Sequence, residues 1–173
     1  MTVRCADCLP SDATEKLAEI QRSLCTIEPR SEQFAKLQRR YFATMEKYAD
    51  AGHGACPLRG AAVAEAVILE LRMLEAWQID VPHYAVMPNH WHAMLVPRSG
   101  CMHSLSAILK RLKGRSARRI RDIVGGHGAV WQREWFDRWM RDETEWDKCV
   151  AYIRNNPVKA GLVANWPDFA WCK

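Results

Sequence analysis

The chain has 173 residues, of which 49% are hydrophobic, and its formal net charge at pH 7 is +5. This length and apolar content predict one globular domain with a substantial core, and they exclude an intrinsically disordered chain. No apolar run reaches the roughly 20 residues of a membrane-spanning helix, and the N-terminus lacks the basic-then-apolar order of a secretion signal. We therefore expect a cytoplasmic protein with no membrane partner.

A helical N-terminal segment is predicted over residues 11–50, where apolar side chains recur at helical spacing with an interruption at Pro29. A glycine-rich turn at 52–57 follows, and helical periodicity resumes over 61–78. We expect one domain spanning 1–173, with its catalytic-type core at about 60–165.

Two strands are predicted next, over 81–87 and 91–96, joined by a turn at 87–90. A helix then begins at the N-cap Ser104 and runs to about residue 124, a bent strand is expected within 129–141, and a third core helix over 143–155 is expected to stop at Pro157. This order predicts an α+β fold in which one antiparallel sheet is covered by helices on one face.

The most distinctive local pattern is a pair of histidines, His90 and His92, where the 87–90 turn leads into the second predicted strand. Residues two apart on a strand point to the same face, so the two imidazoles would project side by side. Such a pair suits a divalent ion, Mg²⁺ or Mn²⁺, whose remaining ligands are oxygen atoms. By spacing alone, a hydrogen-bonded structural pair is the commoner explanation of so short a pattern.

A cluster of one charge sign lies on the helix that follows. Between residues 110 and 121 there are seven basic residues and no acidic one: Lys110, Arg111, Lys113, Arg115, Arg118, Arg119 and Arg121. Like charges on one helix repel, so a polyanionic partner explains the cluster better than a merely solvated face does. Nucleic acid is the commonest such partner.

Four blocks follow one another along the chain: 84–96 around the histidines, 104–113, 130–138, and 152–163 with the sequence Tyr-Ile-Arg-Asn-Asn-Pro-Val-Lys-Ala-Gly-Leu-Val. Together they resemble the IS200-like and REP-associated tyrosine transposases of the HUH superfamily. The resemblance implies a ferredoxin-like or RRM-like antiparallel sheet whose central strand carries the metal-binding histidines.

The same resemblance implies a function and a partner. Such enzymes bind single-stranded DNA folded as a hairpin, a REP-like palindrome in the REP-associated branch, and nick and rejoin it through a nucleophilic tyrosine on a nearby helix. The resemblance to REP-associated transposases implies a monomer, whereas the resemblance to IS200-like transposases implies a dimer. We expect a monomer, with a dimer as the alternative.

The position of the nucleophile is where the chain departs from the family pattern. Relatives carry the tyrosine just after the lysine that matches Lys113, and this alignment puts Arg115 at the nucleophile position. A guanidinium offers only hydrogen-bond donors and cannot form a phosphodiester link. The third metal ligand, one helical turn later, would be Arg119, which is equally unsuitable, so Asp122 is the candidate ligand. Tyr152 is the candidate substitute nucleophile, with helix packing as its alternative role.

Outside the basic helix, three further residues are predicted to contact DNA. Gln132 is polar among aromatic residues, Arg138 contacts phosphate or pairs with Asp137, and Lys159 lies beyond the last predicted helix. The residues leave several functions open: a metal-dependent nicking and joining enzyme, a domesticated hairpin-binding module without catalysis, and a nuclease in which metal-bound water cuts the strand. An RNA-hairpin binder is a weaker fourth.

Overall fold

The structure is a computed structural model that describes residues 1–29 and 31–173. Its strands, β1 to β5, are Thr2–Arg4, Ile79–Asp80, Tyr84–Val86, His90–Ala93 and Val96–Pro97. Its α-helices, α1 to α5, are Ser11–Cys25, Glu32–Asp50, Ala61–Arg72, Leu105–Val124 and Glu143–Lys159. Short 3₁₀ turns lie at Pro57–Arg59, Met73–Trp77 and Trp166–Asp168. Across the described residues, the helices are all too short or too polar to cross a membrane.

The central element is β4, which carries the histidines and pairs antiparallel with β1 on one side and β3 on the other. Opposite His92 lie Thr2 on β1 and Ala85 on β3, and Arg4 lies opposite His90. The two strands predicted around the 87–90 turn are confirmed. The short strands β2 and β5 pair separately as a two-stranded ribbon.

The segment 129–141, predicted as a bent strand, adds only isolated bridges to the free edge of β1. Trp131 bridges to Cys5 and Phe136 bridges to Thr2. The indole N–H of Trp131 donates to the Ser116 hydroxyl at 3.0 Å, so this segment is also attached to α4. The bent strand predicted here is reduced to these two isolated bridges, with loop between them.

One face of the sheet is covered by α3 and α4. Val3, Val86 and Trp91 all point to this face, and at most 1% of each is exposed. Buried apolar residues of both helices, including Leu71 and Leu112, complete the same core. Because side chains alternate along a strand, the neighbours of Trp91 project to the opposite face.

That opposite face carries His90 and His92 and is covered by α5 and α2. Ala85 and Met87 of the sheet pack with Ile153 of α5, and Phe42 of α2 stacks on Phe136 with ring centroids 4.3 Å apart. The α+β class with an antiparallel sheet is confirmed. The helices form two layers, one on each face, where the sequence indicated one covered face.

Helix α5 continues to Lys159, through Pro157 and past the predicted stop. The side-chain amide of Asn156 donates to the Tyr152 carbonyl at 2.8 Å within this last part of the helix. The extra turn matters for the site because Tyr152, Asn156 and Lys159, spaced four and three residues apart, then lie on one stripe of the helix.

The turn between α2 and α3 is held tightly against the start of the chain. Gly54 has φ +84°, and a Cβ atom there would lie 2.6 Å from the Asp7 carbonyl oxygen. The Asp7 carboxylate accepts from the Ala55 N–H at 2.7 Å, and the carbonyl of His53 accepts from the Asn89 amide at 2.9 Å. The C-terminal end of α2 is thereby fixed beside β4.

Candidate active site

The two histidines are buried side by side at the centre of the α5–α2 face. His90 is 1% exposed and His92 is 2% exposed, and their ring centroids are 4.8 Å apart. Each Nδ1 has its own hydrogen-bond partner: Asn89 Oδ1 at 2.8 Å for His90 and Thr2 Oγ1 at 2.8 Å for His92. Partners of this kind orient the rings and leave both Nε2 atoms available to a ligand.

The protonation state of His90 follows from its neighbours. The Asn89 side-chain amide donates its N–H to the His53 carbonyl. Its Oδ1 therefore accepts the Nδ1–H of His90, and the Nε2 lone pair of His90 stays free. Burial, followed by the charges of Arg4 and Lys159, lowers the pKa of His90 to about 3. Burial and the neighbouring His90 also hold the pKa of His92 well below its usual range. Both rings are neutral at pH 7, the form that binds metal ions.

The free nitrogens fit a divalent ion. His92 Nε2 is buried without a hydrogen-bond partner among the described residues, a costly state for a polar atom that a bound ion would relieve. No three His, Cys, Asp or Glu side chains within 1–29 and 31–173 are already grouped as a metal site. The predicted pair could therefore supply two ligands to such an ion.

Tyr152 reaches this site from α5. Its ring packs edge-on against His92, with centroids 5.2 Å apart, and its hydroxyl is buried with no partner among the described residues. One turn later on the same stripe, Asn156 Oδ1 is likewise buried and unpartnered. The sequence suggested helix packing as the commoner role of Tyr152, yet the structure brings it to the histidines.

The opposite wall of the site is an acidic pair on α2 that the sequence analysis did not identify. Asp50 Oδ1 lies 3.8 Å from His90 Nε2, and its Oδ2 accepts from Lys159 Nζ at 2.7 Å. Glu46, one turn earlier, has a buried Oε1 without a partner in the described structure; burial raises the pKa of Glu46 to about 7. The sequence does contain a pattern that indicates this pair. Glu46 and Asp50 are four residues apart, and each directly follows a buried residue of α2, Met45 or Ala49.

The structure places Arg115, Arg119 and Asp122 away from the two histidines. Arg115 Nε donates to Glu70 Oε2 at 2.7 Å, and Arg119 Nε donates to Glu70 Oε1 at 2.5 Å. Asp122 lines an open cleft with these arginines. All three lie on α4, which packs on the Trp91 face of the sheet, whereas the histidines project from the opposite face.

Several residues of the predicted DNA-binding set have structural partners. Lys113 Nζ donates to the carbonyls of Gln132 and Arg133 at 2.6 and 2.8 Å, and Arg121 donates to a loop carbonyl at 3.1 Å. The guanidinium of Arg111 lies over the Trp77 ring at 4.5 Å.

Gln132 and Arg138, two further residues of this set, also have structural partners. Gln132 accepts from Arg4 Nε at 2.8 Å, and Arg138 pairs with Glu145 at 2.5 Å rather than with Asp137. Lys110 and Arg118 are exposed, and in the described part of the chain they form neither a hydrogen bond nor an ion pair. They are the members of the set whose charge is fully available to a partner.

Comparison with known proteins gives the family. The family model described as "Transposase IS200 like" matches residues 65–156, more than half of the chain. The chain belongs to this family. The matched segment contains the histidine strand and ends at Asn156, so it includes Tyr152 and leaves α1 and α2 outside. The resemblance to the IS200-like transposases is confirmed.

Individual relatives are distant. An uncharacterised protein of Haemophilus influenzae is 25% identical over 104 residues, covering 47% of this chain and 56% of that protein. A solved structure of a REP-associated tyrosine transposase bound to a REP hairpin is 20% identical, covers 65% of this chain and 62% of that one, and superposes with a TM-score of 0.50. At this identity the likeness shows the fold, and the chain spans less than two thirds of both relatives.

Proposed function

We propose that this protein binds single-stranded DNA bearing a hairpin and nicks and rejoins it through Tyr152, with Mg²⁺ or Mn²⁺ held at His90 and His92. The observation that carries the proposal is the unpartnered Tyr152 hydroxyl on the ring that packs against His92. A buried hydroxyl and a buried imidazole nitrogen without partners are unfavourable in a resting fold, and they are the atoms that this chemistry needs.

The roles of the residues follow from their places in the site. When bound, the ion polarises the scissile phosphate and stabilises the charge that develops on its oxygens. The Tyr152 oxygen attacks phosphorus and its proton passes to water, and a 5′-phosphotyrosine bond forms as the bond to the 3′ oxygen of the DNA breaks. The departing 3′ oxygen takes up a proton from water and becomes a 3′ hydroxyl. The phosphotyrosine keeps the bond energy, so a 3′ hydroxyl can reverse the step and rejoin a strand.

Other residues hold the reacting groups. Asn89 and Thr2 orient the imidazoles through their Nδ1 atoms, as outer-shell partners do at metal sites. Asn156 follows Tyr152 by one turn, which is where the family resemblance expects a third ligand, and its free Oδ1 is an oxygen donor of the required kind. Lys110 and Arg118 supply exposed positive charge for the DNA backbone.

The test is incubation with a labelled, hairpin-bearing single strand and Mn²⁺, resolved on a denaturing protein gel. We expect a covalent protein–DNA band that disappears in Tyr152→Phe and in His92→Ala. Tyr48→Phe is the matched control, because the Tyr48 hydroxyl donates to Asp12 on the exposed surface. Arg115→Ala should keep the band.

The other outcomes identify the alternatives. Cut DNA without a covalent band, unchanged in Tyr152→Phe, would mean that metal-bound water acts and the tyrosine does not. Hairpin binding without any product would identify a domesticated binding module. Equal binding and no cleavage of an RNA hairpin of the same sequence would favour the RNA-binding alternative.

A further inference from the structure

We propose that Asp50 is a ligand of the metal bound by His90 and His92, so that helix α2 completes the active site. This inference rests on the proposed function and adds a residue to it from outside the family match at 65–156. A carboxylate would supply the negative charge and the oxygen donor that two neutral imidazoles lack, and hard divalent ions prefer oxygen ligands.

The distance between Asp50 and His90 suits a shared ion better than a direct bond. Asp50 Oδ1 and His90 Nε2 are 3.8 Å apart, which is too long for a hydrogen bond. With metal–ligand bonds of about 2.1 Å on each side, an ion can join atoms up to about 4.2 Å apart. The pair is therefore already separated by a distance that one ion can bridge.

The orientation of the carboxylate points to the same role. Lys159 Nζ binds Oδ2 at 2.7 Å, which holds the side chain and leaves Oδ1 facing the histidine. The Asp50 side chain is only 13% exposed, and His92 Nε2 beside His90 is a second, independent atom that is buried and unpartnered. Asp50 is thus held with one oxygen directed into a group of free donor atoms.

The fold holds α2 in this position. The turn after Asp50 is fixed by the Asp7 carboxylate on the Ala55 N–H, and Gly54 allows the close approach of the two backbones. The His53 carbonyl, three residues after Asp50, receives the amide N–H of Asn89, and Asn89 orients His90. The backbone that follows Asp50 is therefore linked to His90 through the two hydrogen bonds of Asn89.

The test is calorimetric titration of Mn²⁺ into the full chain without DNA, which measures the metal site separately from cleavage. We expect one ion per chain for the native protein and no binding for His92→Ala. Asp50→Asn should weaken the affinity about tenfold or more, since even outer-shell changes at metal sites cost 10 to 100-fold. Glu32→Gln, an exposed carboxylate at the start of the same helix, is the matched control and should bind as the native protein does.

Two further variants distinguish ligation from packing. Asp50→Glu keeps a carboxylate and should bind Mn²⁺ more tightly than Asp50→Asn. Lys159→Met removes the ion pair but keeps the Asp50 carboxylate, so the affinity of this variant for Mn²⁺ should not fall. If it binds Mn²⁺ as weakly as Asp50→Asn does, the inference is overturned and Asp50 serves in a structural ion pair. Circular dichroism and thermal unfolding in EDTA confirm that each variant is folded.

The two proposals fail differently. If native protein and His92→Ala bind Mn²⁺ equally, the metal site at the histidines is wrong and Asp50 has no role in it. If His92→Ala abolishes binding while Asp50→Asn binds like the native protein, the histidine site stands and the inference on Asp50 is wrong.

Discussion

Replacing Glu70 by glutamine tests the assignment of Arg115 to the scaffold. The Glu70 side chain is 3% exposed and accepts the Nε–H groups of Arg115 and Arg119 on its two oxygens. Glutamine keeps the shape but presents one N–H₂ group to a guanidinium, so one strong hydrogen bond is lost and a donor faces a donor. The basic pair then has no counter-charge between α3 and α4.

The size of the effect follows from the exposure of the partners. Losing one partner of a fully buried ion pair costs about 3–5 kcal/mol, but the two arginine side chains are 41% and 39% exposed and can be rehydrated. We therefore expect a loss of about 2–3 kcal/mol in unfolding free energy. For a domain of this size this lowers Tm by about 4–12 °C.

The pH dependence gives a second signature. Burial raises the pKa of Glu70, but the hydrogen bonds from Arg119 and Arg115 outweigh it and hold the pKa below its usual value of 4.5. A depressed carboxyl pKa stabilises the fold fully above the unfolded-state pKa, and this contribution is lost as the pH falls through the folded-state pKa. The Tm difference between native protein and Glu70→Gln should be constant from about pH 5.5 to 7.5, which is about one unit or more above the usual pKa of a glutamate. The difference should shrink below about pH 4.

The assay is thermal unfolding followed by circular dichroism, with Glu65→Gln as the control because Glu65 is exposed on the same helix. Equal Tm values for Glu70→Gln and Glu65→Gln at pH 7 would refute the structural role of the pair. A loss of the covalent DNA band in Arg115→Ala at full stability would refute the scaffold assignment of that arginine as well.

Four further expectations concern the core, the α2–α3 turn and the basic helix. Trp91→Ala should lower the unfolding free energy in urea by about 3–5 kcal/mol, because Trp91 is fully buried, whereas Trp139→Ala, at 77% exposure, should change it by less than about 0.5 kcal/mol. Gly54→Ala should lower the unfolding free energy in urea by more than about 1 kcal/mol, since its φ of +84° and the 2.6 Å approach to a backbone oxygen both oppose a side chain; an unfolding free energy equal to the native value would contradict this. Lys113→Met should cost about 1–2 kcal/mol of stability through its two carbonyl bonds. Arg118→Ala should instead leave Tm unchanged and reduce the slope of log K against log salt for a single-stranded hairpin probe by about 0.7, and an unchanged slope would exclude a phosphate contact.

The sequence by itself determined the α+β class, the paired strands around the 87–90 turn and the histidine pair, because these depend on local periodicity. Apolar spacing marked the helices, and a period of two placed His90 and His92 on one face. The family also follows from sequence, since its blocks are contiguous stretches of the matched region.

Which residues stand beside the histidines was decided only by the tertiary structure. Tyr152 lies 60 residues after His92 and Asp50 lies 40 residues before His90, and no periodicity within a helix reports which face of the sheet that helix covers. The continuation of α5 through Pro157, which places Lys159 against Asp50, depends on the packing of that helix on the sheet. Arg115 and Asp122 were aligned with site residues of the family, but α4 packs on the Trp91 face of the sheet. Because side chains alternate along β4, the histidines project from the opposite face and lie away from both residues.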